Sequence, residues 1–233
     1  MEAISVIGIF AALCVVLAGA FLFWRKVWFF RNPPRRIPEG ENIVSPADGT
    51  VVYVEKLEPG REVISVKSGT EITIEDIVRE DVELPKLLIG VFMSPFDVHY
   101  NRAPLASVVE EIRHHPAKKR NIDMRPMHIR TLFNIHPLYW NSMHLIQNER
   151  TVTRMSGSFK GRPITFYVVQ IAGGHVRGID SYFSRQGRPA KGEIFGMIRI
   201  GSQVDLVLPL LPDMNVRVGP GDRVKAGETI FVD

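Results

Sequence analysis

Cysteine is nearly missing from this chain. Cys14 is the sole one in 233 residues, so no intrachain disulfide can form. Also missing are a Gly-rich phosphate loop, a dinucleotide fingerprint, a cysteine cluster and a short His/Cys/carboxylate zinc signature, so no metal site is expected. Neither glycine (19) nor proline (16) is abundant enough for a collagen-like chain. A hydrophobic share of 45% excludes wholesale disorder. The length allows one or two domains. A charge excess is missing from most of the chain. Residues 37–233 hold 24 basic and 24 acidic side chains. The net +4 resides in residues 1–36, where Glu2 is set against Arg25, Lys26, Arg31, Arg35 and Arg36. A nucleic-acid-binding domain carries its basic excess on its own surface, so no nucleic-acid partner is expected.

Charge is absent altogether from Ala3–Trp24, AISVIGIFAALCVVLAGAFLFW. At about 1.5 Å per residue this run spans a hydrocarbon core of roughly 30 Å. A secretory signal would carry a basic n-region, whereas Met1 and Glu2 are what stand before the run. Basic residues follow it, mixed with Trp24, Trp28, Phe29 and Phe30, the composition of a cytoplasmic membrane interface. We therefore expect a transmembrane segment over residues 1–24 and a basic juxtamembrane linker on the headgroups over residues 25–40. The body, residues 41–233, is expected at the cell membrane on its cytoplasmic face. Asn32-Pro33-Pro34 ends the helix.

The body reads as all-β or β-dominated. Thr50–Lys56, Glu62–Lys67 and Thr70–Glu75 read as strands separated by turns at Glu58-Pro59-Gly60 and Ser68-Gly69. Leu87–Met93 and Ile164–Ile171 are apolar enough for strands buried on both faces. Further strands are expected near Leu105–Ile112, His128–Phe133, Thr151–Phe159, Ile194–Ile200 and Val204–Leu208. Short helical turns are expected at Ile77–Leu84 and Ala117–Met124. Glycine-rich turns recur at Ser45–Val51, Gly187–Glu193 and Val218–Glu228. They resemble the elements of swapped-hairpin, lipoyl-like β sandwiches. His128, His136 and His144, spaced by eight, could share one strand face, and Arg113–Arg120 is a basic loop suited to anionic lipid.

Within Phe195–Asp205 one strand runs into Gly201-Ser202 and a second leaves it. On these residues alone the dipeptide is a turn or a bulge. Gly201 permits unusual φ/ψ, and Ser202 places a hydroxyl beside its carbonyl. Asp48 before Gly49 is ordinarily a turn residue, and His99 is one histidine of seven.

Taken together these stretches resemble the short bacterial and archaeal phosphatidylserine decarboxylases. GEIFGMIRIGSQVDLVLP (192–209) is similar to the family's processing site, IVSPADGTV (43–51) to its aspartate loop, and FMSPFDVHYNRAP (92–104) to its histidine segment. Asn148-Glu149-Arg150 and Val169–Gly173 also fit, and the resemblance runs from about Arg31 to Pro209. It implies a pyruvoyl-dependent lyase that makes its own prosthetic group. Ser202 would attack the Gly201 carbonyl, and elimination would cut the chain into residues 1–201 (the β chain) and 202–233 (the α chain), which stay together as a heterodimer. A higher oligomer is compatible with this. Ser202 would become the covalent pyruvoyl group, which forms a Schiff base with phosphatidylserine in the membrane and releases CO₂, giving phosphatidylethanolamine. Asp48 would support self-cleavage and His99 would handle the decarboxylation proton. Longer members carry a second histidine three residues after the first; here Arg102 stands there, and Arg does not deprotonate a hydroxyl. The base acting on Ser202 is left open between His99, His175 and a water on Asp48. Gly173–Arg177 also departs from the family's apolar residues. Two alternatives stand beside this reading. One is a decarboxylase for another serine phospholipid such as archaetidylserine. The other is a non-catalytic, membrane-anchored lipoyl/biotinyl-like carrier or scaffold, with Lys225 in a suitable turn but without the Met-Lys-Met context of a biotin site.

Overall fold

A computed structural model describes residues 2–58, 64–65, 71–78, 83, 85–139, 142–174, 178–199 and 201–233. The chain divides into two compact units, residues 1–33 and residues 34–233.

The first unit is helix α1 (Glu2–Phe23) and a π-helical turn, Trp24–Trp28. The turn closes where the Phe29 N–H donates to Trp24 O at 2.8 Å, five residues back. Apolar residues on every side of α1 leave it no face for water. The stretch Val6–Trp28 is long and apolar enough to cross a membrane, with a mean hydropathy of 2.8. At its end the Arg31 guanidinium lies 4.4 Å over the Trp28 ring, a cation-on-aromatic pairing suited to an interfacial belt.

The second unit is β-dominated and carries several sheets. In chain order the strands are β1 (Ile43–Val44), β2 (Gly49–Leu57), β3 (Ile64–Ser65), β4 (Glu71–Ile72), β5 (Lys86–Met93), β6 (Tyr100–Arg102) and β7 (Ser107–His115). They continue as β8 (Arg150–Phe159), β9 (Arg162–Ala172), β10 (Ile179–Ser181), β11 (Ile194–Ile198), β12 (Ser202–Pro209), β13 (Arg223–Val224) and β14 (Ile230–Val232). Three short helices join them: α2 (Ile74–Val78), α3 (Arg125–Leu132) and α4 (His144–Gln147). The main antiparallel sheet runs β13-β2-β5-β12-β9-β8-β7, and a smaller one runs β10-β11-β6. The apolar runs of β5 and β9 lie inside the main sheet, where both faces are covered. Along β12 the side chains alternate. Val204, Leu206 and Leu208 belong to one core with Ile43 of β1, Phe195 of β11 and Phe231 of β14. Val207 faces the other way, into a second core with Ile77 of α2, Met127 of α3 and Leu145 of α4.

Several local expectations are corrected. His128–Phe133 is helical. Pro126 at the helix start favours that geometry, and the apolar residues sit at helical spacing. Ala117–Met124 forms no helix, because its backbone groups bond to a neighbouring segment. Lys118 N–H donates to Gln147 O, Ile122 N–H to Asn148 Oδ1, and Asn121 Oδ1 accepts from Glu149 N–H. Strand β4 stops at Ile72, and Thr73 starts α2 instead: Asp76 N–H donates to Thr73 Oγ1 and Thr73 N–H to Asp76 Oδ2. Helix α2 ends at Val78, and most of the expected Ile77–Leu84 turn lies outside the described residues. Of the expected strand Glu62–Lys67 the structure describes Ile64–Ser65; the rest, with the turns at Pro59-Gly60 and Ser68-Gly69, lies outside the described residues. His128, His136 and His144 share no strand: they fall on α3, a loop and α4.

Candidate active site

Gly201-Ser202 lies where the chain leaves the small sheet after β11 and enters the main one at β12. Ser202 opens β12 and pairs with Met93 of β5 on one side and Ala172 of β9 on the other. Strands on both sides and two covered faces leave it wholly buried. Gly201, with φ +54°, takes the left-handed conformation that costs a side-chain-bearing residue free energy. The Gly201 carbonyl faces Gly173. A Cβ on Gly173 would stand 2.0 Å from that oxygen, so a glycine is needed for the two segments to approach. The next residue, Gly174, packs likewise against the Asp123 backbone, where a Cβ would stand 3.0 Å from Cα.

The Ser202 hydroxyl donates to Met93 Sδ at 3.5 Å. The Asn101 amide reaches the same sulfur at 3.7 Å, and Asn101 Oδ1 accepts from Gln170 Nε2 at 2.8 Å. Met93 therefore sits between Ser202 and the β6 segment. Strand alternation places His99 on the side of Asn101, and both are fully buried. The His99 carbonyl accepts from Ile198 N–H at 3.3 Å, tying the histidine to the strand that leads into Gly201. Its Nδ1 lies 2.9 Å from Asp97 O, which accepts only, so Nδ1 carries the hydrogen and Nε2 is the basic nitrogen.

Asp48 and Arg102 belong to a different cluster. Asp48 Oδ2 is paired with Arg35 at 2.9 Å, and its Oδ1 accepts from Ala226 N–H at 2.8 Å. Arg35, expected among headgroup-facing cations, has a side chain only 4% exposed. Arg102 points away from Asn101 and donates to Gly192 O at 2.7 Å. Burial, then the neighbouring Arg35, lower its pKa, and Asp48 and Glu228 oppose them. Among the described residues the structure thus brings together Gly201, Ser202, Met93 and the His99 segment. Asp48 engages Arg35 and Ala226, with no hydrogen bond to Ser202. His175 lies outside the described residues.

Sequence reasoning missed a buried polar network behind Ser202. Gln203 points to the opposite face of β12. Its Nε2 donates to Tyr53 OH at 2.6 Å and to Asp205 Oδ1 at 2.7 Å. Its Oε1 is 2.9 Å from His144 Nε2, which must therefore be the protonated nitrogen. Burial pushes the Asp205 carboxyl up to about 7 and His144 down to about 4, so both are neutral near pH 6. The available signal was SQVDLVLP itself, a buried strand whose polar residues alternate.

Gly201 also lines a cavity of about 90 Å³ with Phe92, Pro95, Asp123, Met124, Arg125, His128 and Gly174. Asn148 holds Ile122, next to the lining residue Asp123, through both backbone groups and also donates to Ala172 O at 2.7 Å. The junction thus offers the carbonyl of a left-handed glycine, a hydroxyl next to it, a histidine segment behind it and a cavity in front.

Comparison with known proteins gives the family. A family model described as phosphatidylserine decarboxylase matches residues 22–232. The phosphatidylserine decarboxylase proenzyme of Symbiobacterium thermophilum is 34% identical, over 99% of this chain and 89% of its own. That of Magnetococcus marinus is 33% identical, over 94% and 80%. That of Cupriavidus taiwanensis is 30% identical, over 97% and 90%. With matches along nearly its whole length, and Gly201-Ser202 inside them, the chain belongs to the phosphatidylserine decarboxylase family, whose members are decarboxylating lyases.

Proposed function

We propose that this protein is a membrane-anchored, self-processing decarboxylase acting on phosphatidylserine at the cytoplasmic face. The observation that carries the proposal is the Gly201-Ser202 junction: a buried hydroxyl next to a carbonyl in a left-handed glycine, which Gly173 leaves room for. In self-cleavage Ser202 Oγ attacks the Gly201 carbonyl carbon, the C–N bond breaks, and an ester replaces the amide. Loss of a proton from Ser202 Cα then expels the Gly201 carboxylate from Cβ. Water converts the resulting dehydroalanine to a keto group and ammonia. His99 Nε2 is the proposed proton acceptor and later handles the decarboxylation proton, while Asp48 holds Arg35 and the Ala226 turn in place.

A pyruvoyl group at this position fits its surroundings. It keeps the Cα and Cβ of Ser202, and the Met93 sulfur suits its methyl. Bound there, the group supplies an electron-accepting ketone for the loss of CO₂. The chain's own residues do the rest. Gln203 anchors the strand end from behind, Gly173 keeps the passage open, and the cavity beside Gly201 offers Arg125 and His128 to a phosphoserine headgroup. In this proposal residues 1–201 and 202–233 remain a heterodimer, and residues 41–233 form the decarboxylase domain. The glycine-rich turns at 187–193 and 218–228 are swapped-hairpin, lipoyl-like elements of that domain. A carrier lysine is not favoured, since Lys225 Nζ lies 3.8 Å from the Glu228 carboxylate.

The test is a denaturing gel with intact mass. Wild-type protein should give two chains divided at Gly201/Ser202, the smaller with a blocked N-terminus. Ser202→Ala lacks the attacking oxygen and should stay a single inactive chain. Full activity in uncleaved Ser202→Ala would overturn the pyruvoyl mechanism.

A further inference from the structure

Helix α3 is built inside out. Its buried side is short and holds Met127. Its other side presents Arg125, Ile129, Leu132 and the following Phe133, at i, i+4, i+7 and i+8, along one exposed face. Leu132 and Phe133 are 66% and 68% exposed. Phe96, 62% exposed, lies beside the same helix: its ring is 6.4 Å from that of His128, which lines the cavity together with Gly201, as does Pro95 next to Phe96 in sequence. Soluble surfaces seldom gather this many large apolar side chains in one place. The chain that leads into α3 carries Lys118, Lys119 and Arg120, all exposed.

We infer that the exposed face of α3, with Phe96, is a docking surface that inserts into an anionic phospholipid bilayer and opens the Gly201 cavity to it. The inference rests on the proposed action on a membrane phospholipid. Apolar side chains at the centre and cations beside them match the acyl and headgroup layers of such a membrane. A second copy of the chain fits less well, because a twofold contact through this face would bring two copies of the Lys118–Arg120 run together. The surface also gives a route for a lipid substrate. Its headgroup enters beside Phe96 while its chains stay in the bilayer, so the lipid need not leave the membrane to reach the junction.

Two measurements on the full chain test this. In a Cys14→Ser background, Phe133→Cys is labelled with an environment-sensitive fluorophore and reconstituted into vesicles of phosphatidylcholine and phosphatidylglycerol. The expected result is blue-shifted emission that brominated lipids quench, while the same label at Lys56→Cys stays water-like. Unquenched emission at position 133, or disulfide-linked dimers through it, would overturn the inference, the dimers in favour of a self-contact. Second, Leu132→Ser/Phe133→Ser should lower turnover of long-chain phosphatidylserine in vesicles by about 10-fold and leave self-cleavage at the wild-type rate. Unchanged turnover in vesicles would also overturn it. Should wild-type protein neither cleave nor decarboxylate, the functional reading fails, while the fluorophore still reports docking.

Discussion

A methyl group added at position 173 would press on the Gly201 carbonyl, which lies 2.0 Å from where that Cβ would stand. Gly173→Ala should therefore displace the scissile bond and slow self-cleavage by at least roughly 10-fold, read as the appearance of the two chains on a gel. His99 is the positioned proton carrier of the proposal, so His99→Ala should lower turnover by roughly 10²–10⁴-fold. A processed His99→Ala enzyme with wild-type turnover would remove that assignment, whereas an unprocessed one would give His99 both steps. Behind Ser202, Asp205 holds its proton in the fold up to about pH 7, and an unfolded chain releases it near the ordinary carboxylate value. Between those values the folded state binds the additional proton, so this group's contribution to stability declines as pH rises towards 7. His144, at about 4 in the fold, acts in the opposite sense: the unfolded chain takes up the proton first, so stability is lost on acidification from 6.5 towards 4. Asp205→Asn removes the first contribution and leaves the second. The melting temperature of wild type minus that of the variant should shrink as pH is raised from 4 to 7.

Two short helices depend on one buried cation. Arg150 on β8 is fully buried and donates to Asp76 O at 2.8 Å and Ile77 O at 3.0 Å in α2, and to Asn148 O at 3.2 Å just beyond α4. Arg150→Met fills much of the space but abandons those carbonyls. The expected cost is on the order of 3 kcal/mol, or a melting temperature lower by about 10 °C, measurable by calorimetry on the Ser202→Ala precursor. The same elements show what a sequence can tell. Strands β2, β5, β8, β9 and β12 were legible because apolar runs between turn residues state their own period. Helix α3 was misread as a strand because its apolar residues face outward, so the pattern carried no inward stripe; Pro126 was the readable sign. Gly201-Ser202, His99 and Asp48 were singled out through motif resemblance. Gln203, Asp205, His144 and Gly173 were not, because the fold gives this group partners as far as 150 residues away in sequence.

At the scale of the molecule, the basic excess of residues 1–36 is not all lipid-facing. The Arg35 side chain is paired with Asp48, and the backbone N–H of Arg36 donates to Glu228 Oε1 at 2.9 Å. A chain starting at Pro34 should therefore fold and process, whereas one starting at Ile37 should melt earlier and process poorly, as a thermal scan and a gel would report. Strand β12 lies in the middle of the main sheet, in register with β5 over eight residues and with β9 over six. The bond that the proposed self-cleavage would cut, Gly201–Ser202, sits at the very start of that strand. Residues 202–233, if severed there as proposed, would stay threaded through the larger piece by its central strand, with β14 clasped to β1. Maturation then carries a hidden irreversibility. The intact precursor should recover from denaturant by itself, at a rate independent of concentration. The mature pair must find each other in solution, so its recovery should be second order and should fail on dilution. On this proposal, cutting the chain would give the molecule its chemistry and remove its ability to refold alone.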